Sequence, residues 1–367
     1  MMQMLRCQIT RFSIYQKMEM VLIVYYDDSL YDDFASFENF YEGYIEARKG
    51  KVFRTEIMNA SKRIELIINQ MVAEIHAGTW RPQKTYDFET RKETKRRIIN
   101  APTFRDRIFH HAFHRVVAPL IWKKFIFDSY GNIPGKGQHR AVKRLQHFLR
   151  AAAGTGKRVY VLYCDVAHYY DTIDHDILMD IFSRTFRGER LRRVAESLID
   201  GYNDDTGIGI PKGAVTSGLL ANMYLNEFDH FVKEGLRAKF YLRFVDDFII
   251  VDTDKAKLQR YKQEIEWFLD AKLRLKLNRK SQIKPISHGV DFVGYRVFTT
   301  HILPRKRTMK AAKIRFKNLS WLFAKGDINL DEVTPRLMSF LGYCKHCKCK
   351  RSLTSTLRYL RLQRRTK

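Results

Sequence analysis

The stretch Tyr241-Leu242-Arg243-Phe244-Val245-Asp246-Asp247-Phe248-Ile249-Ile250-Val251 decides how this chain is read. Two β-prone apolar flanks enclose a pair of aspartates, and neither Gly nor Pro marks a turn between them. Residues 240–251 therefore predict a β-hairpin split by two acids. Adjacent carboxylates at the tip of an apolar hairpin repel each other and are costly to place beside a core. An isolated Asp-Asp pair is adequately explained as a hairpin turn. A third acid changes the weighing: Tyr160-Val161-Leu162-Tyr163-Cys164-Asp165 is a nearly continuous apolar run that ends on a carboxylate, as expected of a buried central strand. A divalent cation offsets the repulsion among Asp165, Asp246 and Asp247. Mg²⁺ suits carboxylate oxygens and keeps positions for substrate phosphates. Two such ions, about 3.5–4 Å apart, activate a 3′-hydroxyl and stabilise a leaving pyrophosphate. The trio thus predicts a two-Mg²⁺ centre, with Mn²⁺ as the alternative metal.

The rest of the chain supplies a matching substrate class. Its 367 residues carry a net charge of +27, an excess that costs stability by self-repulsion and attracts polyanions by releasing their counterions. Nucleic acid is the economical partner, and an anionic membrane surface the rival. The longest early apolar stretch, Met20-Val21-Leu22-Ile23-Val24-Tyr25-Tyr26, is too short to span a bilayer and too weak for a signal peptide, so the expectation is a soluble, cytoplasmic protein without a membrane partner. The five cysteines form no disulfide framework, since the count is odd and Cys7 and Cys164 stand alone. Cys344, His346, Cys347 and Cys349 cluster. Zinc is one reading and reduced thiols on a basic helix the other, because no second ligand pair at finger-like spacing follows.

Outward from the acids, residues 1–30 read as a leader without clear period, and Met18 or Met20 is an alternative start. Residues 32–70 turn helical, and the period repeats over 64–75 before Gly78 and Pro82 close it. Residues 86–99 predict a hairpin loaded with cations, including Lys92, Lys95, Arg96 and Arg97. Helices are expected over about 105–125, 139–152, 215–232 and 261–272, and from Ile177 and Leu191. A strand is expected over 292–297, and basic helices from Lys306 onward. There is no internal repeat, low-complexity tract or long linker, so the subdomains are expected to pack closely.

Several segments together resemble the reverse transcriptases. Phe244-Val245-Asp246-Asp247 resembles their aromatic-x-Asp-Asp box, with Phe for the usual Tyr. Asp165-Val166-Ala167-His168-Tyr169-Tyr170-Asp171 resembles their first catalytic motif, close to the group II intron form. Gly209-Ile210-Pro211-Lys212-Gly213-Ala214-Val215-Thr216-Ser217-Gly218 resembles the motif that positions template and nucleotide. Leu277-Asn278-Arg279-Lys280-Ser281 and Phe292-Val293-Gly294-Tyr295 match the last two palm motifs. The set runs in order from about residue 86 to 295. It implies an α+β right-hand polymerase fold, with fingers and a ferredoxin-like palm over 31–300 and a basic helical thumb over 301–367. It also implies roles. Asp165, Asp246 and Asp247 carry two metal ions, with the Val166 carbonyl as a further ligand, and Tyr170 is the steric gate that excludes a ribose 2′-hydroxyl. Lys95, Arg96 or Arg97 grips the triphosphate, Gly213 and Ser217 belong to the nucleotide-positioning motif, and Lys280 protonates pyrophosphate or steadies the γ-phosphate. The implied partners are an RNA template, a template–primer duplex and dNTPs. Arg105-Asp106-Arg107 opens the following helix in the family manner, or serves as a structural ion-pair motif.

Diversity-generating retroelement enzymes are the nearest look-alikes. The similarity lies in Ala101-Pro102-Thr103-Phe104-Arg105-Asp106-Arg107, in Asp128-Ser129-Tyr130-Gly131 and in Ser339-Phe340-Leu341-Gly342-Tyr343. That branch works with a small basic accessory protein. Two departures stand out. Ser217-Gly218 replaces its usual Ser-Gln, and the Ser-Pro of group II intron enzymes, and Lys212 replaces an apolar residue or Gln. An antiphage defence reverse transcriptase is accordingly the second reading. A catalytically inactive nucleic-acid-binding polymerase fold and an RNA polymerase on the same palm are the readings from other classes. The complete acidic trio opposes the first of these, and Tyr170 opposes the second.

Overall fold

Phe104–Trp122 is the helix around which the N-terminal half packs. Thr103 starts it by accepting a hydrogen bond from the Asp106 backbone N–H (3.2 Å), and Ile108, Phe109, Ala112, Phe113 and Val117 recur at three- and four-residue steps on its buried face. Helix Phe37–Arg48 lies directly against it, because Gly43 lets the backbones meet: a Cβ there would stand 2.8 Å from the Ile108 carbonyl oxygen. Phe34, Phe40, Phe109 and Phe113 meet mostly edge to face, and Trp80 stacks flat on Phe109 with ring centroids 3.6 Å apart. The helical pattern expected over 32–70 is thus several short helices, Ser29–Phe34, Phe37–Arg48, Thr55–Ser61 and Ile64–His76.

This computed structural model describes residues 28–92, 95–201 and 206–364; side chains at 87, 90–92 and 95–98 lie outside the described set. The leader expected over 1–30 falls almost wholly outside it. Strands β1 (Tyr86–Lys92) and β2 (Lys95–Ala101) form the expected hairpin, in antiparallel register from Tyr86 opposite Ala101 to Lys92 opposite Lys95. Strands β3 (Tyr160–Asp165), β4 (Phe240–Phe244), β5 (Asp247–Asp252) and β6 (Gln282–Pro285) form a sheet in the order β4-β5-β3-β6. Tyr160 of β3 stands opposite Pro285 and Tyr163 opposite Gln282. Strands β7 (Val290–Phe292), β8 (Tyr295–Val297) and β9 (Ile302–Pro304) make an antiparallel three-stranded sheet. The α+β class is as expected.

Among the described residues the chain divides into two compact units. One holds those up to Pro134, with Cys164–Phe248 and Arg260–Ser281. The other holds Gly135–Tyr163, Ile249–Gln259 and those from Gln282 onward. The second unit has its own core, in which Met309, Ala312, Phe316, Leu319 and Phe323 of helix Lys306–Lys325 pack with Val333, Phe340 and Cys344. No helix among the described residues is long and apolar enough to cross a membrane.

Two expected elements are corrected. The helix expected over 215–232 stops at Tyr224, resumes over Asn226–His230 and widens into a π-turn over Phe231–Gly235. Periodicity conceals the break, because Leu225, Phe228, Phe231 and Val232 are all buried across it. The strand expected over 292–297 is a tight hairpin instead. Val293 (φ +35°) and Gly294 (φ +91°) turn the chain, and Phe292 pairs with Tyr295.

Candidate active site

The acidic hairpin is built on an arginine in an apolar strand. Tyr241, Leu242 and Arg243 of β4 are all buried, and Arg243 has no exposed surface. All five of its N–H donors are used. Nε donates to Asp229 Oδ1 (2.8 Å) and one Nη2 hydrogen to Asp229 Oδ2 (2.6 Å), while the other reaches the Asn222 carbonyl (3.4 Å). Nη1 donates to Asn222 Oδ1 (2.9 Å) and to the carbonyl of Val245 (2.8 Å). The Tyr241 hydroxyl also donates to Asp229 Oδ1 (2.5 Å). Burial opposes the arginine's charge, but the paired Asp229 carboxylate outweighs it and raises the pKa further.

That network fixes an unfavourable turn. Val245 has φ +59°, a left-handed conformation that is rare for a β-branched residue and costs about 1–3 kcal/mol. Gly131 packs directly on it. A Cβ on Gly131 would overlap the Val245 side chain and stand 2.8 Å from its backbone nitrogen, while Asn222 Nδ2 donates to the Gly131 carbonyl (2.7 Å). The chain before Gly131 runs beside β4, with Arg243 N donating to the Asp128 carbonyl (3.0 Å) and Tyr130 N to that of Arg243 (2.9 Å). Asp246 completes the turn and Asp247 begins β5, both half-buried.

Asp165, at the end of β3, is brought to this tip by a backbone hydrogen bond from Val166 N to the Asp246 carbonyl (3.3 Å). Asn278 then holds Asp165 from the other side. Its backbone N–H donates to the Asp165 carbonyl (2.7 Å) and its Nδ2 to the Asp165 carboxylate (3.0 Å). Tyr170 sits on the short 3₁₀ turn Tyr169–Asp171, half-buried. Burial, and next the neighbouring Asp246 carboxylate, push its hydroxyl up to about 12. The nucleotide-motif loop is tied to the same turn: Ile210 N donates to the Tyr170 carbonyl (2.8 Å) and Gly209 N to that of Ile173 (2.7 Å). Lys212 forms an ion pair with Asp171 (2.6 Å) on the exposed side.

The other expected residues are placed unevenly. Gly213 packs on the end of β2, where a Cβ would overlap the Asn100 carbonyl, so its smallness joins loop to hairpin. Ser217 is 1% exposed, and its hydroxyl has no hydrogen-bond partner among the described residues. Lys280 is exposed, and its backbone N–H donates to Asn278 Oδ1 (3.1 Å). The side chains of Lys95, Arg96 and Arg97 lie outside the described set, while their backbone belongs to β2. Arg105 and Arg107 pair with Glu74 and Glu56, and the Gln83 N–H donates to Asp106 (2.8 Å), the structural reading of that motif.

In the sequence Lys280 stands out, whereas Asn278, two residues away, does not, and neither do Arg243, Asp229, Asn222 and Gly131. A charged residue inside an otherwise apolar strand was the available signal, because arginine is seldom buried without a partner. The donor chemistry of Asp165, Asp246 and Asp247, hard carboxylate oxygens joined through Val166 and Asp246, suits a small divalent cation. Among the described residues no group of three or more His, Cys, Asp and Glu side chains is arranged to hold a metal. At 344–349, burial raises the pKa of the Cys344 and Cys347 thiols, which favours protonated packing groups, and His346 stacks on His139 instead (centroids 3.7 Å apart).

Residues 84–297 match the family model described as reverse transcriptase (RNA-dependent DNA polymerase). The chain belongs to this family. Its α+β right-hand polymerase fold is therefore as expected. This reverse transcriptase is 28% identical over 242 residues to "Protein YkfC" of Escherichia coli K12, covering 55% of this chain and 63% of that protein. It is 23% identical over 353 residues to the "Group II intron-encoded protein LtrA" of Lactococcus lactis, covering 76% of this chain and 57% of that one. These relatives bear out a group II intron-like lineage. Among solved structures, telomerase from Candida albicans aligns with a TM-score of 0.48 and 14% identity, covering 80% of this chain and 59% of that one. The chain thus spans 57–63% of the length of these two curated relatives.

Proposed function

We propose that this chain synthesises cDNA on an RNA template by two-metal-ion nucleotidyl transfer, using deoxynucleoside triphosphates. The observation that carries the reading is the Val166–Asp246 hydrogen bond, which joins the end of β3 to the acidic hairpin tip. Asp165, Asp246, Asp247 and the Val166 carbonyl would hold two Mg²⁺ ions, or Mn²⁺ in their place. Bound there, the metal supplies charge stabilisation and lowers the pKa of a primer 3′-hydroxyl. Asn278 orients the Asp165 carboxylate. Tyr170 walls off the space that a ribose 2′-hydroxyl would need. The cations of β2 and Lys280 serve the triphosphate, with Gly213 and Ser217 in the motif that positions the nucleotide. Residues 31–300 are fingers and palm. Residues 301–367 are a thumb whose cations track the template–primer duplex by charge and shape.

The setting we infer is a cytoplasmic retroelement of the diversity-generating type, acting with a small basic accessory protein. Antiphage defence is the second reading, and the observation that favours it is Gly218 where the diversifying branch carries Gln. Sequencing cDNA made from co-purified RNA separates them: diversification predicts errors concentrated at template adenines, and defence predicts none. The activity is tested by primer extension. Purified protein should extend a DNA primer on RNA with Mg²⁺ and dNTPs, and Tyr170→Ala should admit ribonucleotides. Protein that binds RNA yet never extends a primer, with or without its cognate transcript, would sink the enzymatic reading.

A further inference from the structure

Between Asp128 and Asp165 the chain carries seven Lys and Arg residues and no Asp or Glu. Helix Gln138–Ala153 lies in that stretch, and its buried face is wholly apolar, with Ala141, Val142, Leu145, Phe148, Leu149 and Ala152 turned inward. The opposite face is cationic: Arg140, Lys143, His147 and Arg150, at steps of three and four residues, are all exposed. Among the described residues none of Arg140, Lys143 and Arg150 pairs with a carboxylate. Two bonds seat the helix on the loop after β8 and so fix how this face points. Gln146 Nε2 donates to the Phe298 carbonyl (3.0 Å) and Arg150 Nε to that of Thr299 (2.6 Å). The pattern opposes the helix itself. Arg140 stands in the first turn, where the macrodipole favours acids, and Lys143 repels it from one turn away.

We propose that the outer face of helix Gln138–Ala153 binds a base-paired RNA stem, as a surface additional to the one that takes the template–primer duplex. No large apolar side chain of this helix is exposed. A membrane-binding helix needs an apolar face toward the lipid, and a single-strand platform needs exposed rings on which bases stack. Neither is present. What the face offers is a row of phosphate-seeking donors about 15 Å long from Arg140 to Arg150, suited to a duplex backbone, which is gripped by charge and shape. RNA is the duplex to expect on an RNA-dependent DNA polymerase, because a transcript folds into stems wherever it is self-complementary. Phosphate contacts fix where a stem lies without reading its bases, so stems of unrelated sequence should bind alike.

The test uses the full chain and a labelled RNA hairpin of about 16 base pairs, the length that one double-stranded-RNA module covers, with affinity read by anisotropy over a range of salt. Arg140→Gln together with Lys143→Gln removes two cations, keeps good helix formers and leaves Arg150 on Thr299. The slope of log affinity against log salt should fall by about 2, with the unfolding midpoint unchanged. An unchanged slope overturns the proposal. A second measurement asks whether the surface is additional. Chain saturated with template–primer should still bind the hairpin, and the two substitutions should leave template–primer affinity within about twofold, since neither cation touches that duplex. Full displacement of the hairpin by template–primer, or an equal slope change for both, overturns the proposal by assigning these cations to the template–primer channel. A DNA hairpin of the same sequence that binds equally well overturns the assignment to RNA. Loss of binding to anionic phospholipid vesicles in the variant, with the hairpin slope unchanged, would assign the face to a membrane instead. A chain that binds no template–primer at all contradicts the polymerase reading and leaves the hairpin measurement standing.

Discussion

His110 is fully buried on helix Phe104–Trp122, with Nδ1 2.8 Å from Thr216 Oγ1, and burial pushes its pKa down to about 3. It is neutral in the folded chain, whereas the unfolded chain titrates near 6.5. The unfolded state therefore binds more protons below that value. The contribution is fully present above about pH 6.5 and is lost progressively as pH falls toward 3. For this one group the loss between pH 7.5 and 5.5 is about 1.4 kcal/mol. Urea unfolding at the two pH values should show wild type losing more stability than His110→Gln by about that amount. Equal losses would show that His110 is not neutral in the fold. His114, also pushed down to about 4 by burial, adds a loss of the same sign. None of this was legible in the sequence, where His110 is one of twelve histidines and nothing marks which face of its helix is covered.

The β4–β5 hairpin is the element on which the site depends. Its strands and acidic tip were legible, since the apolar flanks of Asp246 and Asp247 exclude a solvated loop. What holds the tip was not, because Arg243 meets Asp229, Asn222 and Gly131 only after folding. The turn at Val293-Gly294 and the break after Tyr224 escaped for the reason that apolar residues continue through both. Two substitutions test the support. Asp229→Ala leaves Arg243 charged and buried without its partner, which should cost about 3–5 kcal/mol in denaturant unfolding. Arg243→Lys keeps the charge but cannot supply five donors in a planar fork. It should fold with reduced stability and release the Val245 carbonyl, so single-turnover extension should slow more than template binding weakens. Unaltered extension by a folded Arg243→Lys would show that the left-handed turn needs no clamp.

For the whole molecule, family and fold were legible because five motifs fall in order, whereas the division into two units was not, since each is assembled from separated segments. The charge of +27 is also a property of this scale. On helix Lys306–Lys325 the apolar stripe from Met309 to Phe323 faces the core, which leaves Lys306, Arg307, Lys310, Arg315 and Lys317 exposed. If these cations neutralise phosphates, replacing Lys306, Lys310 and Lys317 by Gln should reduce the slope of log affinity against log salt by about 2–3 for a template–primer duplex. A slope unchanged in that variant would place the duplex elsewhere. The central claim concerns the acids, and it is tested most directly by single-turnover extension of an RNA-templated DNA primer, comparing wild type with Asp246→Asn at matched template–primer occupancy. The predicted result is equal binding and extension slower by about 10³-fold or more, the scale of several kcal/mol of lost charge stabilisation. Extension by Asp246→Asn within tenfold of wild type would contradict it.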